Sequence, residues 1–459
     1  MPYTGELISD INGFLREQYD MSGVQALRHY QNPLLERIQK VSDPEDVVAH
    51  LGGRGHIHTI QTKSPMNAQG RVEDGDVPLP GKHDFQQLKV QAREIVCSTG
   101  ITQREQQEAT RSAAGVANLV DIKLTDLKND LKWRLALAAA GDGTGRMARV
   151  ASWNNTTKVA TVDNTAADFG WAGTKFLLPG MLVDICTPSD SGNWTKKVSN
   201  GLITALTATT ITIDLTNGTQ HAAPDDNDIV FLRNSTQFTN GQPLKNYLEV
   251  TGILHIADDG TSKYSSGGTG SYAGSNYYGL NRTIYPTLQA KVYKKWNNGN
   301  PVSWDLEDLM APIDAVRDGF GGGKITALYC SSTMARAIAR KAAAAGNATQ
   351  NFGPGDNKIT GGFYTRALNA NGNLIPIIPM GERINDNTIF GLNEDDMVWY
   401  NPVPINFVSP YGETGNKAVF FGSPGARDLT FEAWLQFQGQ LYSRRCDNHF
   451  RIEGLRVDE

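Results

Sequence analysis

The sequence predicts an α+β fold that carries a small inserted all-β domain, on three observations. The first is a helical pattern over residues 112–140. Val116, Val120, Leu124, Leu127, Leu131, Leu135 and Ala138 recur at spacings of three and four, which places them on one helix face. Asp121, Lys128, Asp130 and Lys132 occupy the opposite face. Such a helix would be about 40 Å long and end at Gly141-Asp142-Gly143, a glycine C-cap. The second is a change of character over 146–240, which is rich in Thr, Asn, Gly and Asp with short β runs, as a small all-β unit requires. The third lies near the C-terminus. Phe431, Ala433, Leu435, Phe437 and Leu441 alternate with Glu432, Gln436, Gln438 and Gln440, giving a strand with one buried and one wet face. Trp434 breaks that pattern and marks a contact surface. No tandem repeat is visible.

The remaining elements follow in order. Asn32-Pro33 before Leu34, Leu35 and Ile38 reads as the start of a short amphipathic helix. Residues 56–60 read as a strand. The Gly- and Pro-rich stretch 70–81 reads as an exposed loop. Residues 85–99 alternate with period two and read as one strand. With the preceding strand they form an extended hairpin that projects from a core. Residues 260–279 are Gly/Ser/Tyr-rich and read as a surface loop. Beyond 285 the pattern mixes helices at 305–318 and 332–345 with strands at 325–330, 374–378, 388–392 and 397–400.

Charge and composition exclude several function classes. The chain has 459 residues and a net charge of −5, without the basic surplus of a protein devoted to gripping nucleic acid. Cys97, Cys186, Cys330 and Cys446 are far apart and form no C-x-x-C pair, which argues against structural zinc and a disulfide framework. No apolar run reaches the roughly 18–20 residues of a membrane span. The first residues, MPYTGELISDINGF, carry acids where a signal peptide has lysines. The chain is expected to stay soluble where it is made.

Candidate chemistry is sparse. Residues 319–326, GFGGGKIT, place Asp318 and Ile325 where a phosphate loop needs Gly and Ser/Thr, so a turn between helix and strand is expected. Residues 141–145, GDGTG, follow a helix where a dinucleotide fingerprint needs a strand. His56 and His58 share a strand face without a third metal ligand and are read as pairing with neighbours. Glu394, Asp395 and Asp396 lack calcium-loop spacing and read as a solvated turn. Cys97 and Cys330 sit in apolar strands and read as inert. Arg444, Arg445 and Arg451 read as a small basic cluster that faces DNA weakly or, the favoured reading in an acidic chain, pairs with a neighbour's carboxylates. No catalytic, cofactor-binding or metal-binding residue is nominated.

The order of these elements, with certain segments, resembles the major capsid proteins of tailed bacteriophages, the Hong Kong ninety-seven type of fold. The segments are NPLLERI (32–38), EDGDVPLPGKHDFQQLKV (73–90), LALAAAGDGTG (135–145), NRTIYPTLQAKV (281–292) and LTFEAWLQFQGQLYSRRCDNHFRIEGL (429–455). The resemblance implies six parts. They are an N-terminal arm and the start of a peripheral domain (1–69), an extended loop (70–110), a spine helix (111–145), the inserted β domain (146–240), an axial domain (241–425) and a returning peripheral strand (426–459). It implies a structural protein, not an enzyme, with no cofactor. Copies of it would form hexamers and pentamers in an icosahedral shell around double-stranded DNA, contacted non-specifically. Portal, scaffolding and decoration proteins are further partners it admits, and no membrane is involved. The virion capsid, assembled in the host bacterial cytoplasm, is the implied location. A start at Met1 without an evident prodomain points to a separate scaffolding protein or to none. Lys82 and Lys89 lie in the loop that carries crosslinking lysines in some relatives. Two other readings stay open: an encapsulin-like compartment, and a β-rich carbohydrate-binding enzyme suggested by the eight tryptophans.

Overall fold

The computed structural model describes residues 33–41, 55–63, 82–102, 117–143, 145–163, 173–187, 195–233, 249–260, 276–282, 284–297, 300–319, 322–344, 367–370, 373–381, 384–408, 414–415, 421–422 and 430–457. The expected arm through residue 32, the loop tip at 64–81, the helix start at 112–116 and most of the 260–279 loop (261–275) lie outside them.

Pro33 opens helix α1 (Pro33–Arg37), as its missing N–H costs nothing in a first turn. Strand β1 (Gln39–Val41) follows. Strands β2 (Gly55–Lys63) and β3 (Asp84–Gln91) form an antiparallel hairpin, in register from Gly55↔Gln91 to Lys63↔Asp84. The single strand expected over 85–99 is therefore two. After Ala92 the chain leaves the hairpin, and β4 (Arg93–Thr102) takes a different partner.

Helix α2 (Ala117–Ala140) is the predicted amphipathic element. Leu127, Leu131 and Leu135 are buried, while Lys128, Asp130 and Lys132 are exposed. Ala136, Leu137, Ala139 and Ala140 are buried too, so the last turn is enclosed nearly all round. The helix ends at Gly141-Asp142-Gly143 as its glycines predicted: the Gly141 N–H makes the closing bond to Leu137 at 3.1 Å, and Gly143 (φ 84°) and Gly145 (φ 73°) take the left-handed turn.

Strands β5 (Arg146–Asn154), β6 (Val159–Val162), β7 (Leu182–Thr187), β8 (Thr195–Leu206), β9 (Thr210–Asp214), β10 (Thr219–Gln220) and β11 (Ile229–Leu232) make one sheet. Its order is β8-β7-β11-β5-β6-β9, and β9 returns to β8, so an antiparallel barrel closes with β10 attached to β8. Closure leaves no long unpaired edge. Irregular pairing between β8 and both β7 and β9 lets the long β8 curve. Val150, Val162, Val183, Ile185, Ile203 and Ile213 are buried in the closed sheet.

After the barrel come α3 (Ile253–Ile256) and a small hairpin of β12 (Asn276–Tyr277) and β13 (Leu280–Asn281). Then follow β14 (Lys291–Lys294), β15 (Trp296–Asn297), β16 (Asn300–Pro301), α4 (Glu307–Arg317), β17 (Ala327–Cys330), α5 (Ser332–Ala344), β18 (Ala367–Ala370), β19 (Asn373–Pro379) and β20 (Thr388–Leu392). The chain ends with β21 (Met397–Val408), β22 (Thr414–Gly415), β23 (Phe421–Gly422), β24 (Thr430–Ser443) and β25 (Phe450–Glu453).

Two more sheets organise these strands. In one, β24 lies between β21 and β4, and β1 joins β21 in parallel. Strand β21 runs past the expected 397–400 because shifts in register at Tyr400/Val403 and Val403/Asn406 absorb Pro402 and Pro404, which cannot donate to a ladder. The other sheet has the order β14-β25-β20-β17-β19-β18. The alternating β24 is thus not the last strand, since β25 follows it into this second sheet. Alternate residues of β17 point to two cores. Leu328 and Cys330 face helices α4 and α5, while Ala327 and Tyr329 join the larger core that also holds the buried residues of α2.

Gly391 pairs with Phe450 across β20 and β25, and a methyl group there would sit 2.1 Å from the Phe450 ring. Gly391→Ala is expected to destabilise the subunit by about 1–3 kcal/mol through forced ring displacement. A fall in urea midpoint with unchanged slope would show it; an unchanged midpoint would mean the ring can move at no cost.

Candidate assembly surface

The β2–β3 hairpin is seated at one end only. His56, Ile60, Leu88 and Val90 are buried, and Lys89 N–H donates to the Tyr278 carbonyl at 3.1 Å. The His56 ring lies 5.7 Å from Tyr400 and 5.9 Å from Tyr442, with the His58 ring 6.2 Å away, so the two histidines pack with neighbours as their shared strand face predicted. Farther out, Phe85 is 58% exposed beside the His83 ring. Lys82 and Lys89 are both exposed. Beyond Ile60, the last buried side chain of the ribbon, its described end at Gln61 and Phe85 is exposed and has little to bury alone. Among the described residues, Val96, Ile284 and Leu374 are the other large apolar side chains left exposed.

The acidic turn is more engaged than expected. Arg37 donates to both Glu394 oxygens at 2.6 and 2.8 Å, and the Tyr329 hydroxyl donates to the same carboxylate. Asp395 pairs with Lys324 at 2.8 Å, and Asp396 accepts from Asn448 and Asn393. The fork on Glu394 ties the start of the described chain to the second sheet and holds the Arg37 guanidinium above its ordinary range.

The expected basic cluster does not form. Arg451 is buried, with Glu453 at 2.7 Å, Asp258 at 3.6 Å and the Leu254 carbonyl at 3.0 Å. Arg445 pairs with Asp447 at 2.6 Å. Burial on β25 forces Arg451 to find its counter-charges within the chain. A second buried arginine, Arg282, was not singled out by sequence. It donates to the carbonyls of His255, Ile256 and Asp258 at the end of α3 and lies 4.4 Å from the Tyr277 ring. Its only sequence signal was its place in the NRTIYP segment.

Ser443 and His449 approach to 2.7 Å, but not as nucleophile and base. Nδ1 of His449 accepts the Asn393 N–H at 3.1 Å, so Nε2 carries the proton and donates to Ser443 Oγ. Burial lowers the His449 pKa to about 4. Burial likewise raises Cys446 to about 11, lifts Cys186 well above the usual thiol range, and raises Cys97. Among the described residues no group of three or more His, Cys, Asp or Glu side chains could hold a metal ion. No described helix is long and apolar enough to cross a membrane.

Comparison with protein-family models and with curated proteins finds no match. Comparison with solved structures does. A chain of the cyanophage A-1(L) capsid asymmetric unit superposes with a TM-score of 0.50 at 10% identity, covering 94% of each chain. The cyanophage Pam1 capsid asymmetric unit gives 0.44 at 8% identity over 100% of each chain. The SrpI encapsulin of Synechococcus elongatus gives 0.39 at 8% identity, covering 96% of this chain and 94% of that one. Over 94% of its length this chain has the fold seen in the cyanophage A-1(L) capsid, a phage capsid fold.

Proposed function

We propose that this chain is the major capsid protein of a tailed bacteriophage, a structural subunit without catalytic role. Copies assemble into hexamers and pentamers of an icosahedral head around double-stranded DNA. The observation that carries this reading is the likeness to the A-1(L) capsid chain over 94% of both molecules. The hairpin supports it, because its exposed end at Phe85 would be covered by a sister copy. The sheet of β4, β21 and β24 with α2 would be the peripheral domain. The β14–β25 sheet with α4 and α5 would be the axial domain. The barrel would stand on the outer face as a stabilising or receptor-like projection. The location would be the virion, after assembly in the host cytoplasm, with portal, scaffolding and decoration proteins as further partners.

Expression of the chain alone, followed by gel filtration and electron microscopy, tests this. Closed shells, or a concentration-dependent shift to capsomers, are expected; a monomer at every concentration overturns the reading. Shells filled with an enzyme and free of DNA would favour the encapsulin alternative. Deleting residues 70–82 is expected to leave soluble subunits that do not close, because the overlap with a neighbour is lost. Normal particles from that deletion would remove the hairpin from the assembly mechanism.

A further inference from the structure

The β12–β13 hairpin turns on two residues, Tyr278 and Gly279, since Tyr277 pairs with Leu280. Both are left-handed, with φ 47° and 92°. A two-residue turn of this kind takes Asn-Gly most readily, because both positions need a positive φ. Tyrosine is strained at the first of them, as its Cβ crowds the backbone there. Of the four described non-glycine residues with positive φ, it is the one aromatic. Such strain persists only where the surroundings hold it, and it points to a task for the residue.

The surroundings of Tyr278 join two elements. Its hydroxyl donates to the Leu441 carbonyl of β24. Beside it the Tyr277 hydroxyl donates to the Ser443 carbonyl at 3.0 Å and accepts the Ser443 N–H at 2.7 Å. The two phenol rings meet edge to face at 4.7 Å. The turn is thereby fixed to the end of β24. On its other side the Tyr278 carbonyl accepts the Lys89 N–H of β3 at 3.1 Å. Tyr442, between the two β24 residues that the turn holds, packs with the His56 and His58 rings of β2 at 5.9 and 6.1 Å. Both strands of the ribbon are thus seated, directly or through the turn, on Leu441, Tyr442 and Ser443.

We propose that the Tyr278–Gly279 turn is a bracket that sets the angle at which the β2–β3 ribbon leaves the subunit, and so its fit on a sister copy, with Tyr278 as the positioning residue. This rests on the shell reading, in which the end of the ribbon reaches a neighbour. The ribbon extends about 3.4 Å per residue, so a tilt at Lys89 grows along it towards Phe85. Tyrosine supplies what the favoured asparagine lacks, a hydroxyl long enough to reach β24 while the turn presents its carbonyl to β3. The bond to Leu441 and the packing on Tyr277 hold the residue in its strained conformation.

Hydrogen exchange and assembly of the full chain test the bracket, with circular dichroism to verify folding. Tyr278→Phe keeps the ring and removes the hydroxyl anchor. Gly279→Ala adds a methyl group with nothing within 4 Å to meet it, so it acts on the backbone of the turn alone. In dispersed subunits each is expected to speed exchange of the β3 amides around Lys89 by several-fold, up to about ten-fold, and to leave β17 and β20 as in the native protein. Each is also expected to lower the yield of closed shells. If Gly279→Ala does not fold, Tyr278→Phe decides. Unchanged exchange in the folded variants overturns the bracket and leaves the shell reading intact. Faster exchange with a normal yield of uniform shells overturns it too, since the angle then has no bearing on closure. A native chain that forms no capsomer overturns the shell reading; exchange then decides the bracket by itself, faster rates supporting it and native rates overturning it.

Discussion

Arg282→Met is expected to destabilise the subunit by on the order of 4 kcal/mol. Methionine fills much of the volume but donates nothing. The carbonyls of His255, Ile256 and Asp258 would then lose a charged donor in a place where water does not reach, and the Tyr277 ring would lose its cation. Those carbonyls close the end of α3, where the backbone dipole adds to the demand for a positive charge. The second buried arginine, Arg451, holds the Leu254 carbonyl from another side and cannot reach all three. Because whole domains are stable by only about 5–15 kcal/mol, such a loss should be visible as poor soluble yield and a large fall in denaturant midpoint. Arg282→Lys should recover only part, since an ammonium lacks the fork. A midpoint for Arg282→Met within about 1 kcal/mol of native would show that the arginine fills space and little more.

Acidification is expected to weaken the fold through His449. In the folded subunit its pKa is depressed by burial to about 4, against 6.5 ordinarily. Between those values the unfolded chain binds a proton that the folded chain refuses. Stability is therefore full above about pH 6.5, declines as pH falls towards 4, and levels off below, a loss of roughly 3 kcal/mol. His255 is pushed in the same direction by burial and by Arg282, which steepens the slope. The proton would land on Nδ1 and abolish its acceptance of the Asn393 N–H. Urea midpoints of native protein and His449→Gln, measured from pH 7 to pH 4.5, separate this group from the carboxylates that titrate below it. Glutamine can still accept and donate in that place but does not ionise. Its curve should be flatter; parallel curves would exclude His449 as the source.

Elements with a strong local pattern were legible in the sequence. The leucines of α2, the alternation in β24 and the α5 helix needed only periodicity, because each turns its apolar stripe to a core, and strand β20 needed only its continuous apolar run, because both its faces are buried. The β2–β3 hairpin was legible because a Gly- and Pro-rich stretch separates two strand patterns. What failed were readings that depended on partners. Residues 85–99 carry one continuous alternation, yet the change of partner at Ala92 divides them. Arg444, Arg445 and Arg451 are adjacent enough in sequence to suggest a patch, and only the burial of Arg451 on β25 turns it inward. Arg282 gave no local signal, since its partners lie more than twenty residues away.

By itself, the sequence determined the α+β class, the long amphipathic helix, the β-rich stretch after it and the absence of a catalytic motif. These follow from side-chain pattern and backbone preference, which act over a few residues. The tertiary structure alone decided that the β-rich stretch closes into a barrel, that β25 joins a second sheet, and that Arg451 turns inward onto Glu453 and Asp258. Those outcomes depend on which distant segments share hydrogen bonds and which charges lose water together, and no short stretch of residues carries that information.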